Sequence, residues 1–109
     1  MLPKTNRLTK KKDFESVFRW GEAVKMDFLL FKIMKNQLPE SRFGFVVSKK
    51  VSAKATERNR VKRRLRDAIF QKLDGLKKSW DVIVVALPAS KNKEFLEIQT
   101  VVDAFLTKL

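Results

Sequence analysis

The densest chemistry in this 109-residue chain lies between Arg58 and Arg66, where six of nine residues are Arg or Lys and none is acidic. Val61, Leu65, Ala68 and Ile69 recur through the same stretch at the spacing of one apolar helix face. At about 100° per residue, Asn59, Arg60, Arg63 and Arg64 fall outside that apolar arc, Arg58 and Lys62 fall inside it, and Arg66 lies on its border. Unpaired cations are costly in a dry interior. The wheel therefore calls for a packed helix with a wet basic groove along one flank and a second basic surface along the other, both suited to a polyanion.

Other reactive groups are scarce. The chain has no His and no Cys, which removes the usual general base, the thiol nucleophile, thiolate metal sites and disulfides. No Ser sits in a recognisable nucleophile context. The carboxylate pairs open to a metal-dependent nuclease are Glu94 with Glu97 and Asp13 with Glu15, and each lies early in an expected helix, where the dipole favours acids. Gly21, Gly44 and Gly75 are the only glycines and stand too far apart for a phosphate-cradling loop. Any catalysis is therefore expected of a partner and not of these side chains.

Twenty-five Lys and Arg against 12 Asp and Glu give a formal net charge of +13, so the expected partner is a polyanion. A hydrophobic content of 44%, with nine Phe and two Trp, excludes the composition of a disordered chain and puts the charge on a folded scaffold. The length suits one domain, residues 1–109. The first twenty residues lack an apolar run long enough for a signal peptide, no segment approaches the length of a membrane span, and a cytoplasmic protein is expected.

The elements that must carry these residues follow from punctuation and period. Thr9 is the expected N-cap of a helix Lys10 to Trp20, closed by Gly21 in a left-handed conformation; Phe14, Val17 and Phe18 share one face, suited either to a core or to a base-stacking cleft. Phe28 to Met34 and Arg42 to Ser48 read as strands paired as an antiparallel hairpin across the turn Lys35 to Glu40, with a further short strand near Ala23 to Met26. Lys49 and Lys50 leave the sheet as a solvated edge or an RNA contact. Thr56 is the expected cap of the basic helix, which runs to about Leu73 before Asp74-Gly75. Lys77-Lys78-Ser79 then lead into Trp80 to Leu87, an almost unbroken apolar run fit for a central strand buried on both faces. Asn92 would cap a last helix bearing Phe95, Ile98, Val102, Phe105 and Leu109 on one face. The expected fold class is α+β: a single two-layer domain in which a mixed, mostly antiparallel sheet packs with a central basic helix, in the order α-β-β-(β)-α-β-α.

The run Phe43-Gly44-Phe45-Val46-Val47-Ser48-Lys49-Lys50, followed by Ala55-Thr56-Glu57-Arg58-Asn59-Arg60-Val61-Lys62-Arg63, resembles the protein subunit of bacterial ribonuclease P. Asn6-Arg7-Leu8, Asp13-Phe14, Val17-Phe18, Gly21 and Pro88-Ala89 extend the likeness over nearly the whole chain. The resemblance implies a left-handed βαβ crossover. It also implies a non-catalytic protein subunit that binds a catalytic RNA, which uses Mg²⁺ to remove the 5′ leader of precursor tRNA. Ribonuclease P RNA and precursor tRNA would be the partners, with no membrane and no obligate protein partner. By position, Arg58, Asn59, Arg60 and Arg63 would contact the catalytic RNA, and Phe14, Phe18, Phe31, Lys49, Lys50, Lys62 and Arg66 would receive the leader. Phe31 stands where the family often has Tyr, which leaves stacking without a phenolic hydrogen bond. No role follows for Ser52 or Lys54, and the wheel turns Arg64 to solvent. A ribosomal or RNA-chaperone module shares the charge and aromatics but does not account for the strand-end and helix motifs in register. An unaided nuclease lacks its catalytic groups, and membrane attachment would need an apolar helix face that the sheet should occupy.

Overall fold

The computed structural model describes residues 2–76 and 79–109. In chain order they form α1 (Lys11–Trp20), β1 (Glu22–Met26), β2 (Leu29–Lys35), β3 (Arg42–Val46), α2 (Ala55–Phe70), β4 (Trp80–Ala86) and α3 (Phe95–Thr107), with short 3-10 turns at Lys4–Asn6, Leu73–Gly75 and Pro88–Asn92. Lys77 and Lys78, the expected lead-in to β4, lie outside the described residues.

The four strands are ordered β1-β2-β4-β3. β1 pairs with β2 and β2 with β4 antiparallel, while β3 runs parallel to β4. The hairpin expected between the strands at 28–34 and 42–48 does not form, because β4 lies between them. Val82, Ile83 and Val84 of β4 point alternately to the two faces and are all fully buried, so this strand gains most from the central position. Chain proximity favours the hairpin, and burial of the apolar run 82–86 on both faces outweighs it. β3, with Gly44 and the ion-paired Arg42, is left at the edge, partly covered by a parallel bridge from Arg7 to Phe43.

On one face of the sheet, Phe31, Phe43, Val82 and Val84 pack with Val61, Leu65, Ala68 and Ile69 of α2 and with Ile98, Val102 and Phe105 of α3. This is the expected two-layer body. On the other face Ile83 packs with Leu8 and Val17, joined by Phe14, Val46 and Val85. Helix α1 thus adds a partial third layer that leaves the rest of that face open.

Close approach, not a left-handed backbone, requires glycine at the end of α1. Gly21 is extended at φ −67°, and a Cβ there would lie 2.5 Å from the Val17 carbonyl oxygen and 3.0 Å from that of Ile33. The left-handed residue is Asp27, φ 52°, between β1 and β2, a position that Asp tolerates better than most side chains. The expected threonine and asparagine caps give way to Lys10, Lys54 and Glu94. At α3 the Glu94 backbone N–H donates to Glu97 Oε2 at 2.9 Å, and Glu94 accepts in return from the Glu97 backbone. This reciprocal box satisfies two orphan donors and accounts for the Glu94/Glu97 pair as a helix start.

Arg42 joins three elements. Its guanidinium donates to Asp81 at 2.9 and 2.7 Å and to Asp13 of α1 at 3.1 Å. The hydrogen bonds to Asp81, ahead of the opposing desolvation, raise its pKa above the ordinary value. Asn36 donates a further bond to Asp81 at 2.7 Å. Asp13 is therefore a tether that fixes where α1 crosses the sheet.

Candidate nucleic-acid interface

The start of α2 is built by its own loop. Ser52 is buried, and its hydroxyl donates to the Glu57 carboxylate and accepts from the Lys54 backbone N–H at 3.1 Å. Glu57 also faces Lys91 at 3.7 Å and Arg60 at 3.8 Å. The Ser52 hydrogen bond first, and then the neighbouring cations, hold this carboxyl below its ordinary pKa. Arg58 turns inward, as its wheel angle requires, and its Nη1 donates to the carbonyls of Ser52 and Ala53, both at 2.9 Å. Arg58, expected to contact RNA, thus commits its Nη1 to its own backbone and shapes the loop that presents its neighbours. Asn59, Arg60 and Arg63 are exposed along the outer side of α2. Arg64, expected in solvent, is half-buried and donates to the Lys93 carbonyl at 2.7 Å, which docks the 3-10 turn before α3.

The residues expected to form one leader groove fall into separate places. Phe14 and Phe18, one turn apart on α1, hold their rings nearly parallel, 13° apart with centroids at 6.4 Å. With Glu15, Arg19 and Val46 they line an open concavity of about 450 Å³. Phe14 lies directly over Gly44, where a Cβ would come within 2.8 Å of its ring. Phe18 is 45% exposed and offers its ring to solvent. Lys62 and Arg66 instead line a cleft of about 150 Å³ with Arg7, Thr9 and Phe45. Strand β3 separates the two recesses: Gly44 and Val46 face α1, whereas Phe43 and Phe45 face the main core. Lys49 and Lys50 are exposed in the turn after β3.

Phe31 belongs to neither recess. It is 0% exposed and stacks on Phe105 of α3 at 3.7 Å between centroids, so both its position and its partner oppose the expected leader contact. Strand alternation is the reason: a shift of one residue moves a side chain to the other face of the sheet. The next residue, Lys32, reaches the α1 face, where its ammonium lies 4.7 Å from the Phe18 centroid. Lys32, Arg7 and Thr9 were missed by the residue pattern. A single lysine within the apolar run 28–34 was the available signal for Lys32, and period two assigns it to the face opposite Phe31.

Among the described residues no helix is long and apolar enough to cross a membrane, and no group of three or more acidic side chains is placed to hold a metal ion. The arrangement is suited to non-covalent recognition of a chain carrying phosphates and bases, since aromatic faces accept any base and cations follow the backbone.

The family model for Ribonuclease P matches residues 2–109. A Ribonuclease P protein component from Synechocystis sp. is 42% identical over 88 residues, covering 80% of this chain and 71% of the relative. One from Dehalococcoides mccartyi is 36% identical over 107 residues, covering 98% and 87%. Among solved structures, the RNase P protein of Staphylococcus aureus superimposes with a TM-score of 0.83 at 27% identity, over 96% of this chain and 94% of that one. That of Thermotoga maritima gives 0.84 at 25%, over 94% and 96%. Family model, curated relatives and solved structures converge, and this chain belongs to the ribonuclease P protein family.

Proposed function

We propose that this chain is the non-catalytic protein subunit of an RNA-based ribonuclease P, binding the catalytic RNA through α2 and the 5′ leader of precursor tRNA through its two recesses. The observation that carries this reading is the pairing of an exposed basic face, Asn59, Arg60 and Arg63, with an open aromatic concavity at Phe14 and Phe18. The first surface suits a folded RNA rich in phosphates. The second suits a single strand whose bases are free to stack, because each base has a π face whatever its identity. Lys62, Arg66, Lys49 and Lys50 extend the cationic track on either side of the β3 edge. Arg58 supports the RNA-facing surface by holding the loop before α2.

The Mg²⁺ of the reaction is assigned to the RNA. The acids of this chain that come together are engaged within it, Asp13 and Asp81 by Arg42, Glu57 by Ser52 and Lys91, and Glu94 with Glu97 in the helix cap. They do not form a ligand set, and no step of the hydrolysis is routed through the protein. The cytoplasm, where precursor tRNA is processed in a bacterium, is the proposed location.

Cleavage of a 5′-labelled precursor tRNA at low Mg²⁺ tests the reading, with bacterial ribonuclease P RNA alone, this protein alone, and both together. Accurate 5′ cleavage that requires both components is the expected outcome. Cleavage by the well-purified protein alone, or no stimulation of the RNA at any Mg²⁺ concentration, would overturn it.

A further inference from the structure

We infer that Lys32 is a leader-binding residue that backs the Phe18 ring and takes a phosphodiester of the single strand stacked there; this rests on the leader reading of the aromatic concavity. Strand β2 is hydrogen-bonded on both sides, to β1 and to β4, so the lysine stands on a rigid base. Its Nζ donates to the Phe18 carbonyl oxygen at 2.8 Å and lies 4.7 Å from the centre of that ring. An ammonium carries three donors. One is committed to the carbonyl, which leaves two for an incoming oxygen.

The charge of Lys32 is not neutralised within the chain. Among the described residues no carboxylate lies within ion-pair distance of it, in contrast with Arg42, Arg60, Lys72 and Lys91. Glu15, the acid of the adjoining concavity, is accompanied there by Arg19. A cation held against a half-exposed aromatic ring does two things. It attracts the phosphate that follows a stacked base, and by the cation–π contact it fixes the ring against rotation, so the stacking surface is formed before the strand arrives. Phe14, seated on Gly44, keeps the neighbouring ring nearly parallel to the first. Phe14, Phe18 and Lys32 therefore act as one unit of two ring faces and one charge.

The test uses the assembled complex of this protein with ribonuclease P RNA, and measures its affinity for precursor tRNA and for mature tRNA across a salt series. Lys32→Gln should weaken precursor binding about three- to tenfold and lower the magnitude of the salt slope by about 0.7, the share of one single-strand phosphate contact. Mature tRNA binding should not change, and Lys32→Arg should retain precursor affinity and slope. A lysine that only caps α1 would lower the melting temperature and leave the slope intact; that result overturns the inference. Phe18→Ala separates the two levels. If it weakens precursor binding while Lys32→Gln does not, the role of Lys32 fails and the leader reading stands. If neither variant affects precursor binding, the leader reading of this concavity fails and the inference with it.

Discussion

Phe31 and Phe18 are both phenylalanines expected in one leader groove, and burial gives them different work. The Phe31 ring is enclosed between the sheet and Phe105, whereas Phe18 meets solvent and the Lys32 ammonium. Phe31→Ala should therefore cost about 3–5 kcal/mol of unfolding free energy, through lost transfer and a cavity. Phe18→Ala should cost less than about 1 kcal/mol, as a surface truncation. Their order should reverse in the affinity of the assembled complex for precursor relative to mature tRNA, with Phe18→Ala the stronger. Denaturant titrations beside the binding series check this, and a Phe31→Ala protein of wild-type stability would contradict its place in the core.

At the level of elements, two glycines place α1, and they do so against different neighbours. A Cβ on Gly21 would meet backbone oxygens of α1 and β2, which are fixed by their hydrogen bonds, whereas a Cβ on Gly44 would meet the edge of the Phe14 ring, which can turn aside. Gly21→Ala should lower stability by about 1–3 kcal/mol, the usual range for overpacking. Gly44→Ala should lower it less and act on binding, because it lifts Phe14 out of line with Phe18. Thermal melts and precursor affinity together separate the two. An equal loss of melting temperature in both variants, or a Gly44→Ala protein with unaltered precursor binding, would break the link between the sheet surface and the aromatic concavity.

For the whole molecule, the net charge of +13 is spread over surfaces that the fold keeps apart: the outer side of α2, the cleft of Lys62 and Arg66, and the turn at Lys49 and Lys50. Such a distribution favours contact with more than one segment of a polyanion, at a strength set by released counterions. If about six phosphates are neutralised, affinity for single-stranded leader RNA should fall by roughly two to three decades between about 50 and 200 mM salt, from about −0.7 per contact. A flat response would defeat an electrostatic account of the interface.

Period and composition were enough to identify the basic helix, whose four apolar positions Val61, Leu65, Ala68 and Ile69 are all buried. They also identified β4 as the strand that both faces of the sheet must enclose. These features rest on local repetition and on the difference between apolar and charged side chains, which every residue carries with it. Strand order was not legible, because the pairing of β4 between β2 and β3 depends on competition for the centre of a sheet among segments far apart in the chain. The caps were not legible for a related reason: Lys10, Lys54 and Glu94 begin their helices where the preceding loops deliver them. Period two puts Phe31 and Lys32 on opposite faces. Which of the two faces the helices α2 and α3 cover was not legible, because it depends on the packing of the whole sheet around Phe31 and its partners Val24 and Val84. Composition and period were enough to read a positively charged, aromatic-rich, folded domain suited to a polyanion. Which aromatics and cations reach the surface together follows from the packing, because facing is a property of paired strands and packed helices and not of a residue alone.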